Sequence, residues 1–242
     1  MNKILRKILK LRLRPIRVYV VHNVSAAYST KQGPKEDWMS VEDFRHSIME
    51  LKKRCTIISI EEAIRHLKND RIRLKDYVVL TADDGYQSVY KQLSWLIENE
   101  VPITLLFNPK YLDGKSYSAH LWEYVHAQHP EITEEEFVKG RYMTSKELSS
   151  ITSPLVTIGS HGYEHTDNGK MSEDEFRVYM EKAIKEIEKY HTFAPYHAYP
   201  WGKYSETSDK VLKEKGIIPL RADGWYNIKE ECQLHREYLP KI

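Results

Sequence analysis

Two pairs of ionisable side chains are the residues of this chain best placed to do chemistry. An apolar run at 77–80 precedes Asp83 and Asp84, and a second apolar run precedes His161 and His165. Such runs predict buried strands that end at these polar residues. If the segment between the histidines takes a helical turn, both imidazoles face the same way and can share one cation with a carboxylate. The combination favours a metal-dependent hydrolase.

The two adjacent carboxylates are expected to have different roles. Successive side chains of a strand alternate, so Asp83 and Asp84 cannot both point the same way unless the strand ends and turns over Gly85. One carboxylate would bind the metal, and the other would take a proton from the metal-bound water, whose pKa falls to about 7 beside the ion. The non-catalytic alternatives are a helix-capping Asp-Asp-Gly turn and a structural histidine pair.

The elements that must position these residues follow an alternating pattern. Short apolar runs alternate with amphipathic stretches, which predicts βα units around a mostly parallel sheet. Ligands of such sheets bind beyond the carboxyl ends of the strands, and His22, which follows the first run, belongs to the same edge. Residues from about 108 to 153 break the pattern and are predicted to be an insertion that shapes a groove. The strands are predicted at 17–21, 55–58, 77–80, 102–107, 155–158, 197–199 and 217–221.

Composition limits the broad class of the protein. The 242 residues contain 37 Lys and Arg against 35 Asp and Glu, so no global charge indicates a nucleic-acid partner. Cys55 and Cys232 are predicted to be ordinary reduced thiols. The sequence predicts one domain at 17–242 after a basic amphipathic segment at 1–16, whose residues 1–14 would contact an anionic membrane surface or remain a solvated tail. The chain shows neither a bilayer-spanning run nor a signal peptide, so we expect a cytoplasmic protein, with the inner face of the membrane as an option.

Three motifs, in this order, resemble those of the polysaccharide deacetylases, carbohydrate esterase family 4, which share the NodB-homology domain. A TFDDG-like motif appears at 81–85, an HxxxH pair at 161–165 and an RxPY-G-like motif at 198–202. The resemblance covers nearly the whole chain. The strand ending in His22 is similar, more narrowly, to the subgroup that de-N-acetylates poly-β-1,6-N-acetylglucosamine, and residues 239–242 resemble that subgroup's final strand.

The resemblance implies a distorted (β/α)7 barrel that removes acetyl groups from amino sugars. It also implies one divalent metal ion, zinc foremost, with cobalt or nickel as alternatives, and an N-acetylated glycan, oligosaccharide or glycan precursor as partner. Carried over by position, the general base is Asp83, the metal ligands are Asp84, His161 and His165, and the substrate-binding residues are Tyr86, Tyr199, Pro200 and Trp201. Pro200 and Trp201 would form the wall of the acetyl pocket, where the Trp201 backbone N–H would help to hold the oxyanion.

Two departures from the family pattern matter. Ala198 stands where many relatives have an arginine that orients the base, which leaves open what positions Asp83. The family's final Leu-x-His is not visible near the C-terminus. Because Val20-Val21-His22 has this pattern at the other end of the chain, we predict that His22 is the general acid. A structural histidine at a strand end is the alternative.

Two other functions remain open from sequence. A glycoside hydrolase also uses strand-end carboxylates, but it needs no HxxxH pair. A non-catalytic carbohydrate-binding relative of a deacetylase would stack sugars on aromatic residues, but binding alone needs no base. The sequence does not name the glycan.

Overall fold

The computed structural model describes residues 14–68, 75–224, 227 and 233–242. The predicted membrane-contacting segment, apart from Arg14, and Cys232 therefore lie outside the described residues. Within the described part of the chain, no helix is long and apolar enough to cross a membrane.

A curved sheet of parallel strands forms the centre of the molecule. Its strands are β1 (Ile16–Val21), β4 (Thr56–Ile57), β5 (Tyr77–Ala82), β6 (Ile103–Phe107), β7 (Val156–Ser160), β8 (Phe193–Ala198), β9 (Ile218–Arg221), β10 (Leu234–His235) and β11 (Glu237–Tyr238). The spatial order is β10-β9-β8-β7-β6-β5-β1-β11, with β4 also paired to β5. A separate parallel pair is formed by β2 (Asn23–Ser25) and β3 (Trp38–Ser40).

The last two strands nearly close this sheet into a barrel. β10 pairs with β9, whereas β11, one residue further along the chain, pairs with β1 at the opposite end of the strand order. The short segment 234–238 therefore bridges both edges of the sheet. The predicted distorted (β/α)7 barrel is confirmed.

Helices alternate with the strands along the chain. They are α1 (Val41–Arg54), α2 (Ile60–Lys68), α3 (Gln87–Tyr90), α4 (Leu93–Glu98), α5 (Ala119–Gln128), α6 (Glu134–Val138), α7 (Ser145–Ser149), α8 (Glu173–Ile187) and α9 (Glu206–Glu214), with short 3-10 turns between some elements. Helix α8 shows how the local sequence determines such a helix. Ser172 and Glu175 form its capping box. Its buried face carries Phe176, Met180 and Ile187.

The alternation of side chains along the strands separates the barrel interior from the helical layer. Val18, Val79, Leu106 and Leu220, from four strands, belong to one buried cluster inside the barrel. Because side chains repeat with period two, Asp83 continues the inward-facing row of Val79 at the carboxyl end of β5. The barrel therefore has an apolar floor and an ionisable upper edge.

Two predicted strands need correction. Residues 239–242 do not form the closing strand: it ends at Tyr238, because Pro240 has no N–H to continue a ladder. The strand predicted at 197–199 instead spans Phe193–Ala198. The segment 108–153 carries the three short helices α5, α6 and α7.

Candidate active site

The parallel register brings the predicted residues to one edge of the barrel. Val21 at the end of β1 is level with Ala82 of β5, and the backbone N–H of Asp83 donates to the Val21 carbonyl at 3.1 Å. Two strands further, the backbone N–H of His161 donates to the carbonyl of Phe107 at 3.0 Å. His22, Asp83 and His161 each follow these aligned ends directly, so neighbouring strands position them side by side.

Asp84 faces both histidines of the HxxxH pair. Its Oδ1 atom lies 3.4 Å from Nε2 of His161 and 3.6 Å from Nε2 of His165. One ligand atom from each residue lies within 4.8 Å of the other two. Asp84 itself has φ 66°, a left-handed conformation that aspartate tolerates and that turns its side chain away from that of Asp83.

A glycine turn, not a helical turn, brings the two histidines together. The segment 161–165 is a series of bends, and Gly162 has φ 86°. A Cβ atom at Gly162 would collide with the hydroxyl of Tyr179, so only glycine fits both the backbone and the space. The sequence spacing indicated the shared site, but the helical geometry expected for it was wrong.

The protonation of the histidines suits a cation site. Nδ1 of His161 lies 2.9 Å from the carbonyl oxygen of Ala198, to which it donates, so Nε2 carries the lone pair that faces Asp84. Burial lowers the pKa of His161 and of His165 to about 4, so both rings are neutral at pH 7. Two imidazole nitrogens and one carboxylate oxygen at this spacing are a donor set that fits a divalent metal ion.

The second carboxylate is paired differently. Nη1 and Nη2 of Arg236 donate to Oδ1 and Oδ2 of Asp83 at 2.7 and 2.9 Å, and the two side chains are only 3% and 4% exposed. Burial acts to raise the pKa of Asp83, but the guanidinium of Arg236 outweighs it and holds this pKa below its ordinary value. Asp83 is therefore an oriented, ionised carboxylate beside the three-residue cluster.

The comparison with known families decides the identity of this arrangement. The family model for polysaccharide deacetylase matches residues 70–219, more than half of the chain. The chain belongs to the polysaccharide deacetylase family. It is accordingly a carbohydrate deacetylase, a hydrolase. A search of curated proteins found no match.

Solved structures of other deacetylases share the fold over nearly the whole length. The Streptococcus pyogenes deacetylase PplD in complex with acetate is 16% identical, with 92% of this chain and 91% of that chain covered and a TM-score of 0.69. A de-N-acetylase from Aggregatibacter actinomycetemcomitans is 17% identical, with coverages of 93% and 94% and a TM-score of 0.68. The BpsB deacetylase domain from Bordetella bronchiseptica is 19% identical, with coverages of 94% and 96% and a TM-score of 0.67.

Arg236 is a side chain at the candidate site of this deacetylase that was not predicted from the sequence. It reaches Asp83 from 153 positions along the chain, between β10 and β11, where Ala198 offers no guanidinium. Leu234, Arg236 and Tyr238 alternate inward along the closing segment, with Leu234 in the barrel core and Tyr238 in the cleft. That alternation is the only signal in the sequence that points to Arg236, and it does not identify the partner.

His22 lies on the wall of the same cleft. Its side chain is half-buried, and its Nδ1 atom is buried without a hydrogen-bond partner in the described part of the chain. Its ring centre is 5.5 Å from that of Tyr238. The ring therefore lies at the cleft beside an aromatic neighbour, with Nδ1 unpaired within the described residues.

The four predicted substrate contacts fall into different environments. Trp201 is 45% exposed, and its ring lies 4.3 Å from that of His165, edge to face. Tyr86 lines the cleft and stacks on Tyr142 at 5.8 Å. Pro200 is buried. Tyr199 is 1% exposed and donates its hydroxyl to Asp209 at 2.8 Å, so its side chain has almost no surface to offer a sugar.

The insertion completes the cleft, which encloses about 440 Å³. From the segment 108–153, Tyr111, His120 and Tyr142 line it. The Tyr111 hydroxyl also accepts the backbone N–H of His165 at 2.9 Å. The insertion therefore supports the loop that carries His165 as well as shaping the groove.

Proposed function

We propose that this polysaccharide deacetylase hydrolyses the N-acetyl groups of an amino-sugar glycan and depends on a divalent metal ion, zinc foremost. The observation that carries the proposal is the convergence of Asp84, His161 and His165 on one point beside the Asp83–Arg236 pair. A family relationship alone does not require these five side chains to have this geometry.

The metal would be held by Asp84, His161 and His165, and when bound it would polarise the acetyl carbonyl and lower the pKa of water. Asp83, ionised and oriented by Arg236, would accept the proton of the attacking water. His22, one strand away on the same edge, would protonate the departing amide nitrogen. The exposed ring of Trp201 would exclude water from one side of the acetyl group. The products are acetate and a free amine.

An amide substrate is favoured over an ester. The fold is shared with a protein described as a de-N-acetylase, and the strand-end position of His22 resembles the poly-N-acetylglucosamine subgroup. A leaving nitrogen also needs a proton, and His22 is a group at this edge that can supply one. The pairing of Asp83 with Arg236 disfavours the glycoside hydrolase alternative, because neither Asp83 nor the metal-facing Asp84 is left as a free acid.

Metal content and acetate release test the proposal together. We expect about one divalent ion per chain in the wild type and loss of that ion in His161→Ala and Asp84→Ala. His22→Ala should keep the metal and lose most acetate release from an N-acetylglucosamine oligomer, because only the proton donor is removed. His191→Ala, outside the cleft, is the matched histidine control and should keep both properties.

The outcomes separate the candidate functions. A metal-loaded wild type that releases no acetate from N-acetylated oligomers but binds them would favour the non-catalytic carbohydrate-binding relative. Near-normal turnover by metal-loaded His22→Ala would contradict only the role of His22 and would leave the rest of the proposal standing. A wild type that takes up no metal, even after incubation with zinc, would refute the proposed function.

A further inference from the structure

One wall of the cleft is not explained by the family motifs. It is formed by Tyr238, which is 56% exposed, and by Glu36 and Asp37 from the loop between β2 and β3. Few large apolar side chains of the described residues are as exposed as Tyr238, and this one lies in the cleft next to His22. An exposed aromatic ring in a groove offers a flat face to a ligand, and sugar rings present matching C–H faces.

Tyr238 also fixes the position of a carboxylate. Its hydroxyl donates to Oδ1 of Asp37 at 3.1 Å. In the described part of the chain, no group is hydrogen-bonded to Oδ2 of Asp37, which leaves this oxygen available to a ligand. Tyr238 and Asp37 thus form one unit, an aromatic platform with an acceptor at its edge, which we call the Tyr238–Asp37 wall.

The charge of the cleft defines which ligands this wall accepts. Its charged lining, among the described residues, consists of Glu36, Asp37, Asp83, Asp84 and Arg236. Arg236 is ion-paired with Asp83, and Asp84 faces the histidines, so Glu36 and Asp37 have no cationic partner among the described residues that line the cleft. An anionic sugar would meet two carboxylates there, whereas an ammonium group would be attracted.

A second, independent feature points to a polar ligand. Tyr86 is 94% buried by its 6% exposure, yet its hydroxyl has no hydrogen-bond partner within the described residues, and the residue lines the same cleft. A hydroxyl that no protein group pairs is available to donate to a polar ligand in the cleft.

We propose that the Tyr238–Asp37 wall is a subsite for an amino sugar that carries a free ammonium group and adjoins the acetylated sugar. The inference rests on the proposed function, since de-N-acetylation itself produces such sugars. The preferred substrate is then a glycan that is already partly deacetylated, and a glycan with a uronic acid at that position is disfavoured. Tyr238 packs against the neighbouring ring, and Asp37 accepts from its ammonium group.

The test compares oligomers that differ in one sugar. N-acetylglucosamine tetramers with no free amine, with one free amine beside an acetylated residue, or with one uronic acid are assayed for acetate release. The wild type should show about a fivefold higher kcat/KM for the tetramer with the free amine, the factor expected of one partly exposed ion pair. Asp37→Asn should abolish this ratio, and Tyr238→Phe should reduce it because Asp37 is no longer held.

Two controls make the result interpretable. Glu98→Gln, on the exposed side of α4 and outside the cleft, should keep the wild-type ratio. An aryl acetate carries no ammonium group for Asp37, so its hydrolysis reports on the catalytic centre without the proposed ion pair. Activity on the ester with equal kcat/KM for the neutral and cationic tetramers would overturn the subsite and leave the deacetylase intact. A preference for the uronate, or a ratio unchanged in Asp37→Asn, would also overturn it. No activity on any of these substrates would refute the proposed function itself.

Discussion

The replacement of Arg236 by methionine is the perturbation that tests the site most directly. Both members of the Asp83–Arg236 pair are buried, at 4% and 3% exposure, and they share two hydrogen bonds. Arg236→Met keeps much of the side-chain volume but leaves a carboxylate buried without its cation. Breaking a buried pair in this way costs about 3–5 kcal/mol of folding free energy. A matched surface change, Arg54→Met, removes only an exposed contact to Glu50 and should cost less than about 0.5 kcal/mol.

The folding free energy that Arg236→Met loses relative to the wild type should depend on pH. In the wild type, the pKa of Asp83 is lower in the folded state than in the unfolded chain, where it is about 3.9. The ion pair therefore stabilises the protein above about pH 3.9, and this stabilisation is lost as the pH falls through the folded pKa. In Arg236→Met, burial without the guanidinium raises the folded pKa above the unfolded value. The variant then loses stability as the pH rises from about 4 towards that new pKa. The difference between the two proteins should therefore be larger at pH 7.5 than at pH 5.

Urea unfolding of metal-free protein at pH 5 and pH 7.5 measures this difference. The double variant Asp83→Asn/Arg236→Met removes both charges and should be more stable at pH 7.5 than Arg236→Met alone, because no ionised group is left buried. Arg236→Lys keeps the positive charge but not the two-pronged geometry, so its loss should be intermediate. The reasoning would be refuted by a loss in Arg236→Met that is equal at both pH values, or by a double variant no more stable than the single one.

Three further predictions follow from the same geometry. The metal-free protein should gain stability as the pH rises from about 4 to 6.5, because the unfolded chain binds protons at His161 and His165 that the folded chain excludes; His161→Gln should flatten this slope in urea unfolding. Tyr199→Phe should cost about 1 kcal/mol of folding free energy in thermal unfolding, because the hydrogen bond to Asp209 is lost, and it should leave KM unchanged. A raised KM would instead show that the Tyr199 hydroxyl contacts the sugar. Gly162→Ala should lower the melting temperature and the metal content together, since the left-handed backbone and the Tyr179 hydroxyl both oppose a Cβ atom; normal zinc uptake would show that the loop tolerates it.

The parts of the structure that could be predicted from sequence depend on local patterns. The strand at 77–82 is a continuous apolar run, and the helix after Ser172 has a capping box and a 3.6-residue stripe. The cluster of Asp84 with both histidines followed from one further rule, that parallel strands deliver their carboxyl ends to the same edge. Each of these inferences needs only a short window of the chain and one topological assumption.

Other features depend on which distant segments meet. The pairing of Asp83 with Arg236 is set by barrel closure, and so is the pairing of Tyr238 with Asp37, 201 positions apart. Neither short strand of the closing segment exceeds two residues, which is below the length at which a period-two pattern stands out from a loop. The helical turn expected at 161–165 was wrong for a related reason, because the HxxxH spacing fixes which residues meet but not the backbone that joins them.

The closing segment links stability to chemistry in this fold. Along five residues, Leu234 enters the barrel core, Arg236 pairs with Asp83, the proposed general base, and Tyr238 reaches the cleft wall. The register of β11 with β1, Val20 against Tyr238, places all three at once. An arginine on β8, as many relatives resembled by this chain have, would orient Asp83 independently of barrel closure. Because Ala198 occupies that position here, the orientation of Asp83 depends on the closing segment. Loosening of the pairing between β1 and β11 should therefore lower activity before the barrel unfolds.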